Sequence, residues 1–305
     1  MNKRLMVLIS IISFISLAFT TIFFIKPYLK VRVNINSVND YYKFVEKANK
    51  NNKSYAYMVV SQNCDLDFEN KEVESVNSFF GTYDGNGYSI KNIRISANPN
   101  TGMFGLLGTD SEIRNVHLES GYMEVLYSGA IASSSTNEFN RVINCVVEPN
   151  LVIKGIRASS IVDNFAGHVY NCAGYATVIA EEGAYGICAY SATKADSCSS
   201  HLEISRYGKP TNCPNFKVSE LAKAMEFHNA NALKISDVTN ERIYVYNRFS
   251  CVDNKIGLAG KQSVFSYSIG EVFTYKYKSM IIIALSACLT IATTIVIIPK
   301  KKESN

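Results

Sequence analysis

Two acidic side chains are placed where they could do chemistry. Glu119 and Glu148 each stand four positions beyond an asparagine, Asn115 and Asn144, in a pattern that repeats along the chain. If successive repeats stack, their carboxyl groups lie about 5 Å apart, the separation used by retaining glycosidases. Such a pair would raise one carboxyl pKa by repulsion or hold a cation. The plainer alternative is a solvated face with splayed carboxylates, and Pro149 predicts that the strand ends at Glu148. The full column reads Ser96, Glu119, Glu148, Tyr175 and His201, and beside it Arg94 and His117 give way to Val146 and Ala173. An enzyme working on one face would need those basic groups to continue. Among the tyrosines, Tyr122, Tyr127, Tyr170 and Tyr175 are candidates for a ligand-binding stripe, with Tyr185 and Tyr190 further along. Their rings could stack on sugars or on a protein partner, or simply fill corners. Gly85-Asn86-Gly87 lacks the Gly-Lys-Ser of a phosphate loop and reads better as a tight corner. The histidines His117, His168, His201 and His228 fall at different phases of the repeat, and no C-x-x-C pair occurs, so neither metal nor cofactor is expected.

The elements that must position these groups follow from self-comparison. Five segments centre on Asn92, Asn115, Asn144, Asn171 and Ser197, at spacings of 23, 29, 27 and 26 residues. A second series, Gly102-Met103-Phe104, Gly129-Ala130-Ile131, Ser160-Ile161-Val162 and Gly186-Ile187-Cys188, precedes the later four. Short β-type runs between Gly, Asn and Ser turns at such a period predict a solenoid of strands. Each winding pairs with the next at about 4.8 Å, giving a right-handed parallel β-helix of about five coils. Asn92, Asn115, Asn144 and Asn171 then form an internal carboxamide ladder. Cys145, Cys172 and Cys198 stack beside it as buried free thiols, while Cys213 and Cys251 lie outside the repeat and suit a disulfide.

A solenoid's open ends need covers. Ser37 can cap a helix from Val38 to Asn49 with Tyr41, Phe44, Val45 and Ala48 on one face, and Tyr55 to Val60 reads as a strand leading in. At the other end Ser219 to His228 reads as a helix, followed by strand-like Ile243 to Phe249 and Ser263 to Ile269. Outside these, Leu5 to Ile25 and Ser279 to Ile298 are uncharged runs of 21 and 20 residues, long enough to cross a bilayer as helices. Pro299-Lys300-Lys301-Lys302 marks a cytoplasmic tail. The first run reads as an uncleaved anchor or a signal peptide, and both place Val33 to Tyr275 outside the cytoplasm. The formal charge of +5 sits mainly at the ends and beside the apolar runs, so the middle is mildly acidic. That argues against a nucleic-acid surface.

Ile35-Asn36-Ser37-Val38-Asn39-Asp40 with Phe44, Asp65-Leu66-Asp67, Phe80 through Ile90 with Tyr83-Asp84-Gly85-Asn86-Gly87-Tyr88 at its centre, and Gly102-Met103-Phe104-Gly105 resemble bacterial surface proteins with a GLUG-motif, pectin-lyase-like β-helix. The resemblance spans roughly residues 33 to 205; later coils lose the second Gly after Phe104 and replace Asn by Ser197. It implies a cell-envelope adhesion or scaffold role and transfers no catalytic residues.

The resulting division is 1–32 anchor or signal peptide, 33–78 capping helix and leading strand, 79–208 repeats, 209–278 an α+β closing module, and 279–305 transmembrane helix and basic tail. The expected function is non-enzymatic adhesion, binding or scaffolding at the cell membrane, with surface polysaccharide or envelope proteins as partners. A carbohydrate-active glycosidase or lyase using Glu119 and Glu148, and a subunit of an envelope membrane assembly, are the alternatives.

Overall fold

The computed structural model describes residues 31–50, 57–96, 101–190, 194–206, 210–232, 248–252 and 255–259. Both apolar runs expected to cross a membrane lie outside these residues, as do 243–247 and Ser263 to Ile269. Among the described residues no helix is long and apolar enough to cross a membrane.

The chain winds into a parallel β-solenoid of about six turns. Strand β1 (Val31–Ile35) pairs with β2 (Met58–Gln62) ahead of the first full turn, which continues through β3 (Leu66–Asp67) and β4 (Val76–Phe79). Turn two holds β5 (Gly81–Asp84), β6 (Ser89–Lys91), β7 (Ile93–Ile95) and β8 (Phe104–Leu107). Turn three holds β9 (Glu112–Arg114), β10 (His117–Gly129) and β11 (Ala132–Ser135), and turn four β12 (Arg141–Ile143), β13 (Val146–Ser159) and β14 (Val162–Asn164). Turn five holds β15 (His168–Tyr170), β16 (Ala173–Gly174) and β17 (Thr177–Tyr185). Turn six is reduced to β18 (Lys194–Asp196) and β19 (Ser199–Ser200). Three parallel sheets result: β1-β2-β5-β9-β12-β15-β18, then β3-β6-β10-β13-β16-β19 with β7 and β17 alongside, and β4-β8-β11-β14.

Inside, one apolar column per strand position forms a continuous core from Ile35 to Ile204, including Tyr83, Phe104, Ile113, Leu118, Val147 and Val162. Burial of such columns is the main stabilising term, at about 25 cal/mol per Å² of apolar surface. Helix α1 (Val38–Lys50) covers the first turn. Its start is a reciprocal cap, with the Asp40 amide donating to Ser37 Oγ at 3.2 Å and Ser37 Oγ donating to Asp40 Oδ2 at 2.9 Å. Tyr41 and Phe44 reach into the core, edge-on to Phe68 at 5.1 Å and to Phe79 at 6.1 Å.

The second helix differs in placement from the closing lid expected. Helix α2 (Leu221–Ala232), after a short 3-10 turn at Val218–Glu220, lies on the outside of the winding. Leu221 and Ala224 bury the outward-facing Val146, Ala173 and Tyr175 of turns four and five. The antiparallel hairpin β20 (Arg248–Val252) and β21 (Lys255–Ala259) lies beside α2 and against β13.

Candidate functional site

The corner between the first two sheets is made by residues in the left-handed region. Asn115, Asn144 and Asn171 have φ of 51°, 54° and 49°, and Ser197 follows at 54°. Asparagine tolerates that conformation better than most side chains. It also brings a donor and an acceptor on one planar group. The stacked carboxamides form a directed chain: Asn115 Nδ2 donates to Asp84 Oδ1 at 2.9 Å, Asn144 Nδ2 to Asn115 Oδ1 at 2.8 Å, and Asn171 Nδ2 to Asn144 Oδ1 at 3.1 Å.

Asp84 Oδ1 accepts the first of these bonds, and each carboxamide then donates through Nδ2 and accepts through Oδ1, which sets the polarity of the chain. Asn171 presents Oδ1 to His228 Nδ1 of α2 at 2.8 Å, which makes that nitrogen the donor. Nε2 must then accept from Ser199 Oγ at 2.7 Å, and Ser199 Oγ accepts from the Tyr175 hydroxyl at 3.0 Å. Burial pushes the His228 pKa down to about 3, which keeps the ring neutral as this order requires. The sequence Ser–His–Asn has the bond order of a nucleophile, base and orienting group. Ser199 is wholly buried, however, so its hydroxyl meets no substrate. The network fastens α2 to the solenoid.

Asn92 stands outside this column. Four residues, Gly85 to Tyr88, separate β5 from β6, where two, Asn115 and Val116, separate β9 from β10. Asn92 therefore marks the next break in the chain, donating to Asp67 Oδ1 at 2.9 Å and receiving the Ser120 hydroxyl at 3.3 Å. The Gly85 turn is a stacking device: a Cβ there would lie 2.3 Å from the Asn115 carbonyl oxygen.

Asp84 also closes a charged cluster on the first sheet. Arg114 Nε lies 3.3 Å from Asp84 Oδ2 and Nη1 2.8 Å from Glu112 Oε1, and Arg141 Nη1 lies 3.7 Å from Glu112 Oε2. Asp84, Glu112 and Arg114 are all buried.

Cys145, Cys172 and Cys198 are free, fully buried and stacked, with the Cys145 amide donating to Cys172 Sγ at 3.4 Å. Cys213, expected outside the repeat, continues the column: its sulfur accepts from the Cys198 amide at 3.3 Å and the thiol is free. Burial pushes the Cys172 and Cys198 thiols well above their usual range. The side chain of Cys251 lies outside the described residues.

The carboxylates do not meet as a pair. Leu118 pairs with Val147 but Ser120 pairs with Asn150, so Glu119 faces both Glu148 and Pro149 across a bulge. Strand β13 continues through Pro149 rather than ending at Glu148. Glu148 is buried on the outer face of the winding and meets His117 Nε2 at 2.7 Å, while Glu119 reaches Lys91 Nζ at 3.3 Å. Among the described residues no group of three metal-binding side chains converges.

Of the tyrosine candidates, Tyr170 and Tyr175 are buried, the first stacked on His168 and the second on His201. Tyr122 and Tyr127 lie on the long wall formed by β10, β13 and β17. The Arg94 guanidinium stands 5.6 Å from the Tyr122 ring centre. That of Arg157, paired in register with Tyr127, stands 4.9 Å from it and 5.2 Å from the Tyr190 ring. Asp163 holds Arg157 from the other side through two bonds, at 2.9 and 2.8 Å. Tyr127 and Tyr190 are each 41% exposed, with exposed Leu126 and Ile179 nearby on the same wall. Arg157 was not a sequence-level candidate; its register opposite Tyr127 would have marked it.

No family model matches the chain, and no curated protein does. A crystal structure from Bacteroides ovatus, provisionally described as an immunoglobulin A1 protease, is similar over 60% of this chain and 74% of its own, at 16% identity and a TM-score of 0.39.

Proposed function

We propose that this chain is a membrane-anchored, extracytoplasmic β-helix of the GLUG-motif, pectin-lyase-like kind that serves as a non-enzymatic binding or scaffold module. One observation carries the reading. The groups suited to catalysis are tied into internal pairs, Glu148 with His117 and His228 with Ser199, while the rings of Tyr127 and Tyr190 flank an immobilised arginine at the surface. Rigid aromatic faces beside a fixed cation suit stacking on polysaccharide or anchoring of an envelope protein. Six turns rise only about 29 Å, so the surface works close to the bilayer that holds the chain.

The test is a titration of the full chain in detergent micelles with a panel of cell-surface polysaccharides, followed by chromatography of the products. Binding that weakens about tenfold or more in the Tyr127→Ala/Tyr190→Ala double variant, with the polysaccharide recovered intact, supports the reading. Cleavage by the parent chain that disappears in Glu148→Gln or Glu119→Gln overturns it in favour of the glycosidase or lyase. Crosslinking that joins the chain to membrane partners while the wall variants bind normally favours the assembly subunit instead.

A further inference from the structure

Strands at the last turn of the solenoid are nearly all covered. Asp196 of β18 is bridged by Thr211, Ser200 of β19 by Asn215, and Cys188, which follows the third-sheet position, by Ser205. Strand β17 is the exception. Turn six passes directly from Ser200 to Ser205, a distance that turn five covers with the whole of β17. Among the described residues β17 therefore pairs with β13 alone, and its other edge, nine residues or about 30 Å long, carries no strand.

An uncovered edge of this length is a template for another strand, and proteins commonly blunt such edges with charge or a bulge. Both devices occupy only part of this one. Gly155 pairs with Ala180 and Arg157 with Gly183, so Glu181 and Glu182 bulge opposite the single Ile156, and both are exposed. The stretch Thr177 to Ala180 remains regular. There Val178 and Ala180 pack on the last layer of the core but stay partly open, and Ile179 is 55% exposed. An added strand would cover that layer and satisfy the open backbone groups.

We infer that the free edge of β17 is a strand-addition site for an extended, basic segment of a partner protein. Charge selects this occupant. In a two-fold antiparallel pairing of two copies, Glu181 and Glu182 near the strand centre would face their own counterparts, which is repulsive. A segment alternating apolar and basic residues would set its apolar side against Val178 and Ala180 and its cations near the two carboxylates. The site adjoins the Tyr127–Arg157–Tyr190 surface, since Gly183 of β17 pairs with Arg157, but it is read out at the Thr177 to Ala180 amides and stands whether or not that surface binds sugar.

The test uses the full chain in detergent micelles and two synthetic peptides matched to β17 in length, one alternating valine with lysine, the other valine with glutamate. The lysine peptide is expected to bind and to slow amide exchange at Thr177 to Ala180, the glutamate peptide to do neither. Glu181→Lys/Glu182→Lys should reverse the preference by about tenfold or more, and Ile179→Lys should weaken the lysine peptide with the thermal midpoint unchanged. Failure of the lysine peptide to bind, equal binding of both peptides, or binding without slowed exchange at these amides overturns the inference. So does a concentration-dependent dimer of the unmodified chain that protects the same amides.

Discussion

The corner side of the solenoid and its long wall are built from the same repeat but solve opposite problems. At the corner the buried polar groups are gathered into one inward network: Asp84 starts the carboxamide ladder, Arg114 and Glu112 close around it, and His228 ends it 57 residues from Asn171 in sequence. On the wall β10, β13 and β17 extend well beyond the corner strands and leave Tyr127 and Ile179 exposed, with Tyr190 exposed past the end of β17 where its amide bonds to Asp163 of β14. Desolvated polar groups are costly to leave unpaired, so the corner tolerates little change. Exposed side chains on a stacked wall have no such constraint. A strong dependence of stability on one side and a strong dependence of binding on the other is the expected pattern, and it can be broken at graded points.

The largest effect belongs to Arg114. Replacing it with Ala leaves Asp84 and Glu112 buried without their principal cation, and loss of one partner of a buried charge pair costs about 3–5 kcal/mol. Urea unfolding should show this directly. A loss below about 1 kcal/mol would mean the cluster is solvated and the contrast with the wall is wrong.

His228 gives the next effect, with a sign set by linkage. Its folded pKa is depressed to about 3 by burial, against an ordinary value near 6.5, so between these pH values the unfolded chain binds a proton that the folded chain refuses. Its contribution is complete above about pH 6.5 and is lost as pH falls toward 3, by about 1.4 kcal/mol for each pH unit well inside that window. His168 and His201, also lowered by burial, act with the same sign. The difference between the parent chain and His228→Gln therefore isolates the ladder's end. The variant should lose amide protection across Leu221 to Ala232 while the first three turns stay protected, because α2 packs on Val146, Ala173 and Tyr175 and bonds to Asn171 and Ser199 of the later turns.

Much of this architecture is readable from repeated residue types, and the misreadings have physical causes. Asn115, Asn144 and Asn171 announce themselves because a left-handed corner with a stacking carboxamide favours asparagine at each winding. Asn92 has the same conformation, at φ of 50°, and the same apolar flanks, so spacing alone aligns it with them. Only the longer Gly85 to Tyr88 connection shows that it belongs to another corner. The separation of Glu119 from Glu148 rests on a one-residue bulge, which no periodicity reports. The attachment of α2 was hidden for a different reason: Ser199, His228 and Asn171 belong to two elements with no common period, and a hydrogen bond between them leaves no mark on hydrophobic pattern. The capping helix α1 was legible because Ser37 and Asp40 are local to it and Tyr41, Phe44, Val45 and Ala48 lie on one face.

The thiol column offers a kinetic version of the comparison. Cys145, Cys172 and Cys198 are buried in consecutive turns, whereas Cys213 and Cys64 are only partly covered. The thiolate is the reactive form, and burial raises the pKa of Cys172 and Cys198, so both terms slow them. Under native conditions, among the described thiols, Cys64 should react first with a thiol reagent, read by mass-spectrometric mapping, ahead of Cys213, whose thiol pKa is pushed up by its hydrogen bond with Cys198 and by burial. Cys145, Cys172 and Cys198 should react only at the rate of unfolding. Early labelling of Cys172 would show that the corner opens locally and is no tighter than the wall.

The smallest stability effect is expected at Tyr190. Its ring contributes one face to Arg157, and an exposed cation–π contact is worth about 0.5–1 kcal/mol. Tyr190→Ala removes that contact, yet Arg157 keeps both bonds to Asp163 and its contact with Tyr127, so the guanidinium stays in place. Thermal unfolding should therefore shift by no more than about 1 kcal/mol, far less than for Arg114→Ala. If Tyr190→Ala instead costs several kcal/mol, the tyrosine is a structural strut between turns four and five, and the wall depends on its own side chains as heavily as the corner does. A small shift means that the exposed face of the ring is not needed to hold the fold, which is what separates a surface that binds from a corner that only holds.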